Sequence, residues 1–400
     1  MIFPRSRVMV FNFLLAISAF CIPAVSCSST KTQPQPPVVQ PPPPVEKFNI
    51  SLIFAGDIMA HSINYKAGNF SLIWDDVKSI IKQGDLAFAN LEAPVNDNVP
   101  WATYPQFNMH SSYVQEAVNA GFNVFSLANN HTNDGLLDGI NATKKYFDSR
   151  KDIWAAGLKA EKNGKISYKV IEKNGFKILF VAFTEILNRP DYSSWIDYYP
   201  QKKRENLITE LKNLEKSNPH DLFVVSIHTD EEEYKTKVTE NHKNFYKRLA
   251  TECNADIIWA NHPHVSKVFE KQIFEYTKED NTIGKKQAFI MYANGNTISG
   301  QRTSPSFSKT PNERDDTGDG LIIKLNYEKV TENNISTVSQ VSAQPYFITT
   351  YIQPNGQMVI RHVDEDLLHC LKRAAIPAWA NYLEKRKVLY EELKGKSLWQ

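Results

Sequence analysis

The sequence predicts an α/β fold with its chemistry gathered at strand ends. Three observations carry that prediction. From about residue 48 onward, short apolar runs alternate with stretches of helical spacing, the pattern of buried strands joined by crossover helices. Most of these runs stop abruptly in side chains able to bind metal or move protons. The clearest case is Val124-Phe125-Ser126-Leu127-Ala128, which breaks into Asn129-Asn130-His131. Polar groups just past the carboxyl end of a parallel strand sit in the crevice where α/β sheets bind ligands, although an Asx-type turn into a helix would use the same residues.

The elements follow in order. Residues 51–55 read as a strand ending in Gly56-Asp57-Ile58-Met59-Ala60-His61. Residues 70–83 have helical spacing, with Leu72, Ile73, Val77, Ile80 and Ile81 apolar. A strand over 86–89 ends in Asn90-Leu91-Glu92, and a long polar loop spans 93–110. A helix over 113–120 is closed by Gly121, as helix C-caps often are. After the central strand comes a helix over 138–149. Strands at 177–183, 221–227, 256–260 and 287–292 end in Thr184-Glu185, His228, Asn261-His262-Pro263-His264 and Ala293-Asn294-Gly295-Asn296. Helices over 204–217 and 242–253 separate the first three of them. Residues 300–319 read as an irregular surface loop; Asp315 to Gly320 superficially resembles a calcium loop but breaks its pattern and reads as solvated. Antiparallel strands over 320–327, 336–351 and 358–363 precede a charged helical tail over 365–400.

Composition narrows the function. Hydrophobic residues make up 42% of the chain, enough for a substantial core, and 46 basic residues face 44 acidic ones with no basic block; nucleic acid is not an expected partner. Arg5 and Arg7 precede an apolar run over 8–22, and Ala24-Val25-Ser26-Cys27 has the form of a lipobox with Ala24 in the usual leucine place. The expected organisation is a signal peptide over 1–27 with Cys27 lipidated, a Pro-rich linker over 28–47 and a folded domain over 48–364. That places the protein in the cell envelope, membrane-anchored, with ordinary signal cleavage as the alternative. Cys253 and Cys370 remain in the folded part; a disulfide between them and burial of Cys253 as a small hydrophobe are both open.

The chain has ten histidines, and His131, His228, His262 and His264 lie directly at strand ends, with Asp57 and Glu92 at two others. Carboxylate, amide oxygen and imidazole together suit Mn, Zn or Fe, and a pair of such cations can hold a phosphate and generate a nucleophile. His110, His220, His242, His362 and His369 have no such context and read as surface residues. No G-x-S-x-G elbow is present.

The motifs together resemble the CapA family of poly-γ-glutamate capsule biosynthesis proteins, a branch of the calcineurin-like metallophosphoesterases. The matching pieces are Gly56-Asp57-Ile58-Met59, Asn90-Leu91-Glu92-Ala93-Pro94, Tyr104-Pro105-Gln106-Phe107-Asn108, Ala128-Asn129-Asn130-His131 with Asp134, Asn261-His262-Pro263-His264-Val265, and Ala293-Asn294-Gly295-Asn296. The resemblance implies a four-layer αββα sandwich and two divalent metal ions. It implies that Asp57 and His264 bind the first metal, that Asn130, His228 and His262 bind the second, that Glu92 bridges, and that His131 is the general acid. Asn90, His61 and Asp134 are accessory candidates. Where ordinary phosphoesterases have Asp-x-His, this chain has Asp57-Ile58-Met59; Met59 is expected to pack and His61 to substitute. Thr229 to Tyr234 and Asn261 also depart from the family pattern, which implies an altered site. The implied partners are an acidic polymer or phosphoester substrate and capsule-synthesis membrane proteins. Two functions follow: a tethered metal-dependent hydrolase, or a non-catalytic capsule-assembly or polymer-binding lipoprotein.

Overall fold

A computed structural model describes residues 45–277, 281–307 and 313–399. The signal segment, Cys27 and the Pro-rich stretch up to residue 44 lie outside the described residues. The first half contains β1 (Glu46–Ile58), α1 (Ser62–Tyr65), α2 (Lys78–Ile81), β2 (Leu86–Leu91), α3 (Ser111–Ala120), β3 (Val124–Ser126), α4 (Leu136–Asp148) and β4 (Trp154–Ala156). Then follow β5 (Tyr168–Lys173), β6 (Phe176–Thr184), α5 (Arg204–Ser217), β7 (Leu222–His228), α6 (Glu240–Glu252), β8 (Ile257–Asn261), β9 (Phe269–Thr277), β10 (Ile283–Met291) and β11 (Asn296–Ile298). The chain closes with α7 (Glu313–Asp316), β12 (Asp319–Glu332), β13 (Ile335–Ile352), β14 (Met358–His362), α8 (Glu365–Arg373) and α9 (Pro377–Lys396).

These strands build two mixed sheets. One has the order β14-β13-β12-β1-β2-β3-β4, with β11 beside β1; the other runs β5-β6-β7-β8-β10-β9. β1 to β4 are mutually parallel, as are β6, β7 and β8. The inner faces meet in one core, where Phe54, Phe88 and Val124 oppose Phe180, Val224 and Trp259. Phe88 stands edge-on to Phe180 at 5.4 Å, and the Trp259 indole N–H donates to the Ala55 carbonyl at 2.9 Å, so the sheets are tied by packing and by a satisfied polar handle. The outer face of the first sheet buries Tyr113 and Ala117 of α3 and Ile140 and Phe147 of α4. That of the second buries Leu207 and Leu211 of α5 and Phe245 and Leu249 of α6. The result is the expected helix–sheet–sheet–helix sandwich.

Several local expectations fail, each for a physical reason. Residues 70–83 are not one helix but a 3-10 turn over Phe70–Ile73 and the short α2. Between them the Asp76 carboxylate accepts the His362 backbone N–H at 2.8 Å and pairs with Arg361, tying the segment to β14; aspartate favours such contacts over a helix interior. The tail is two helices, broken before Pro377, which occupies the first turn of α9, where its missing N–H costs least. It is not an appendage, because Trp379, Ala380, Leu383 and Tyr390 join the inner core. β5 and β9 escape a reading based on apolar runs because both are edge strands interrupted by charged residues, which discourage edge pairing. β1 also begins two residues inside the expected linker, pairing Glu46 with Thr331.

The two ends of the stretch read as a solvated surface loop are buried, while Thr303, Ser304 and Phe307 between them are exposed. Arg302 is 2% exposed, and its Nη1 donates to Asp319 at 2.8 Å and to the Asp315 carbonyl at 3.1 Å. Asp315 accepts the Tyr382 hydroxyl at 2.9 Å, and Arg386 of α9 binds Asp319 at 2.6 Å. Buried carboxylates survive there because each has a guanidinium or phenol against it. Cys253 and Cys370 are both free thiols, the first buried and the second exposed.

Candidate metal centre

The carboxyl ends of β1, β2, β7 and β8, with the turn after β3, converge on one buried cluster. Gly56 lets β1 approach the turn before β11: a Cβ there would stand 1.8 Å from the Gly295 carbonyl oxygen. The Asp57 N–H donates to that oxygen at 3.0 Å, which fixes the direction of the Asp57 carboxylate. Asn90 is the register partner of Asp57 on β2, and its Nδ2 donates to Asp57 Oδ1 at 2.8 Å and to Glu92 Oε2 at 3.3 Å. Asn130 Oδ1 lies 2.7 Å from His228 Nε2, and His262 Nδ1 lies 3.1 Å from the same atom. His264 Nδ1 is 3.1 Å from Asp57 Oδ2. Glu92 stands between them, with Oε1 at 3.7 Å from His228 Nε2 and 3.6 Å from His264 Nε2. His262 and His264 hold left-handed backbone conformations, φ 107° and 57°. Such strain persists where the surroundings enforce it, often at functional sites.

The electrostatics favour cations. Burial, then the neighbouring Asp57 charge, pushes Glu92 well above the usual carboxylate range. Burial, reinforced by His262 and His264, drives His228 well below the ordinary imidazole value, and His262 falls to about 3 mainly through burial. The rings are therefore neutral, as metal ligands must be. Glu92 Oε1 is buried with no hydrogen-bond partner, a costly state for a carboxylate that a counter-ion relieves. As they stand, the donor atoms form two groups, Glu92 with His262 and His264, and Asp57 with Glu92 and His228. Glu92 is shared, as the resemblance implies, and Asp57 joins His228 in one group while also meeting His264 Nδ1 at 3.1 Å. Hard oxygens and imidazole nitrogens in this number fit divalent cations.

His131 sits at the rim of this cluster. Its Nδ1 lies 2.7 Å from Asp134 Oδ2, which also accepts the Phe107 N–H at 2.7 Å. The ring stands edge-on to Phe107 at 4.7 Å. The turn reading of Asn129-Asn130-His131 holds as well, since Asn129 Oδ1 accepts the His131 N–H at 3.2 Å and Asn129 Nδ2 donates to the Leu91 carbonyl. The turn is thus the scaffold that aims Asn130 and His131. Gly157 permits it: a Cβ there would meet the Ala128 nitrogen at 2.4 Å. His131, Asp134, His264, Tyr104 and Arg314 line an open cleft of about 910 Å³.

Met59 packs in the core as expected. His61 does not replace the missing ligand. Its Nδ1 accepts the Gly300 N–H at 3.0 Å, and burial with the nearby His264 and His131 lowers its pKa to about 3. A neutral ring that accepts at Nδ1 carries its proton on Nε2, so it has no lone pair left for a cation.

Two features escaped the sequence reading. His242 is not a surface residue: it is buried, with Nε2 2.9 Å from Asp230 and 3.0 Å from Glu185. Burial opposes its charge, but hydrogen bonds with Asp230 and Glu185 outweigh it and raise its pKa to about 9. Arg204 and Lys267 complete this network against Glu185 and Glu231. Glu185 at the end of β6 was the visible signal. The other is Asn296, whose Oδ1 lies 3.1 Å from His264 Nδ1.

Two sheets packed face to face, with a buried carboxylate, amide and imidazole cluster at their strand ends, define an αββα sandwich with a candidate metal centre. The chain belongs to the bacterial capsule synthesis protein family PGA_cap, whose pattern matches residues 51–301. It is 27% identical over 269 residues to the capsule biosynthesis protein CapA of Bacillus anthracis, covering 63% of this chain and 60% of that protein. It is 27% identical over 238 residues to the PGA biosynthesis protein CapA of Bacillus subtilis (strain 168), covering 55% and 59%. The chain thus spans about three-fifths of these relatives. Among solved structures, a hypothetical protein from Thermus thermophilus aligns with a TM-score of 0.39 and 16% identity, covering 74% of this chain and 98% of that one. A 5'-nucleotidase precursor from the same organism aligns with a TM-score of 0.33 and 11% identity, covering 86% and 60%.

Proposed function

We propose that this chain is an exported, envelope-anchored hydrolase of capsule biosynthesis, acting on a phosphoester or an acidic envelope polymer through a two-cation site. The observation that carries the reading is Glu92 Oε1, buried and unpartnered between His228 and His264, with the His131–Asp134 pair at the rim of the same cleft. Asp57, Glu92, Asn130, His228, His262 and His264 would hold the cations. Divalent cations there would lend Lewis-acid charge to a substrate oxygen and to an attacking water. His131 would present Nε2 to the leaving oxygen and protonate it, while Asp134 holds Nδ1 and so the ring direction. Cys27 would supply the lipid anchor, and capsule-synthesis membrane proteins would be the partners. The supports are the family membership and the chemistry of the donor set.

The test is hydrolysis of a generic phosphodiester by the full chain reconstituted with Mn, Zn or Fe. His131→Ala should keep its cations and lose about a hundredfold to ten-thousandfold in turnover. Cation binding with no turnover on any phosphodiester, in the wild type as in the variant, would instead favour a polymer-binding assembly subunit.

A further inference from the structure

Asn296 lies on β11, which pairs in parallel with β1 so that Asn296 stands opposite Asp57. It is 1% exposed. One end of its amide is 2.8 Å from Gln301 Oε1 and 2.8 Å from the Thr317 carbonyl. A carbonyl only accepts, so this end is the NH2 group, and the end facing His264 Nδ1 at 3.1 Å is the oxygen. Oxygen facing Nδ1 requires the proton on Nδ1, and Asp57 Oδ2, also 3.1 Å from Nδ1, is a second acceptor for it. The lone pair is then left on His264 Nε2, the atom that faces Glu92 Oε1. An acceptor behind a ligating imidazole sets both its tautomer and its direction.

Resting on the cation site proposed above, we infer that Asn296 is a positioning residue that fixes the tautomer and orientation of His264 once a cation draws Asp57 away from Nδ1, and that the chain beyond residue 301 holds Asn296 in place. The Thr317 carbonyl follows α7 in the buried network already described. Asp315 is bound there by Tyr382, and Asp319 by Arg302 and Arg386. Tyr382 and Arg386 belong to α9, so a helix outside the family match at 51–301 supports a ligand inside it.

The experiment compares the full chain with Asn296→Leu, which removes both contacts, and Asn296→Asp, whose carboxylate still accepts the Nδ1 proton. In metal-free protein, imidazole ¹⁵N shifts report the tautomer, with His264 identified by the signals missing from His264→Gln. With Asp57 replaced by Ala in each protein to remove the second acceptor, the chain with Asn296 and the Asn296→Asp form should show His264 protonated at Nδ1, and Asn296→Leu should show a mixture. Titration with Mn²⁺ should find Asn296→Leu about tenfold to hundredfold weaker for one cation, with a smaller loss in Asn296→Asp, which keeps the acceptor but not the two NH2 contacts. An Asn296→Leu protein with unchanged melting temperature, tautomer and Mn²⁺ affinity would overturn the inference, as would equal loss in both variants. If the wild type takes up no Mn²⁺, the proposed function fails, while the tautomer signature still decides the role of Asn296.

Discussion

His131 is gripped from two sides, by the Asp134 carboxylate at Nδ1 and by the Phe107 ring, which it meets edge-on. If that grip serves proton transfer, Asp134→Asn should lower kcat by on the order of tenfold or more with little change in KM, because the ring remains but its preferred tautomer does not. Equal KM and kcat effects would speak for simple loss of binding. His242 makes a different prediction. Its folded pKa of about 9 lies above the ordinary imidazole value of 6.5, so its stabilisation is complete below about pH 6.5 and fades as the pH rises toward 9. Melting temperature should fall across that window, and His242→Gln should flatten the fall. Parallel pH profiles for the two proteins would contradict the assignment. At this scale the strand-end residues were legible because each follows an apolar run. His242 was not, since what sustains its charge are Glu185 and Asp230, 57 and 12 residues away and brought near only by packing.

Among the elements, α9 is the one whose role changed most between sequence and structure. Its charged residues and weak amphipathic pattern suggest a solvated tail, yet Leu383 is fully buried in the core between the sheets and Tyr390 stacks on Phe347 at 4.8 Å. Leu383→Ala should therefore destabilise the whole domain by about 2–5 kcal/mol, as core leucine truncations do. Denaturant unfolding would measure this, and a change below about 0.5 kcal/mol, typical of surface sites, would restore the tail reading. The pattern misled because Lys and Arg residues carry apolar stems and Arg386 hides its charge against Asp319. The central strands β1, β2, β6, β7 and β8 were readable for the opposite reason: both faces are buried, so their sequences are nearly continuous apolar runs.

For the whole molecule, the site exists only where the two sheets meet. Asp57, Asn90 and Glu92 come from the β1 and β2 ends of one sheet, and His228, His262 and His264 from the β7 and β8 ends of the other. Sequence could place each residue at a strand end but not decide which ends face each other; packing of Phe54 and Phe88 on Trp259 and Phe180 does that. Glu92 is the residue both donor groups share, so it is the sharpest probe of the account. Manganese content should be measured after reconstitution of the full chain and of Glu92→Gln, an isosteric change that removes the charge. Close to two cations per chain are expected for the wild type and few or none for Glu92→Gln, with His264→Ala in between. A wild type that binds none, or a Glu92→Gln protein that binds as many as the wild type, would contradict it.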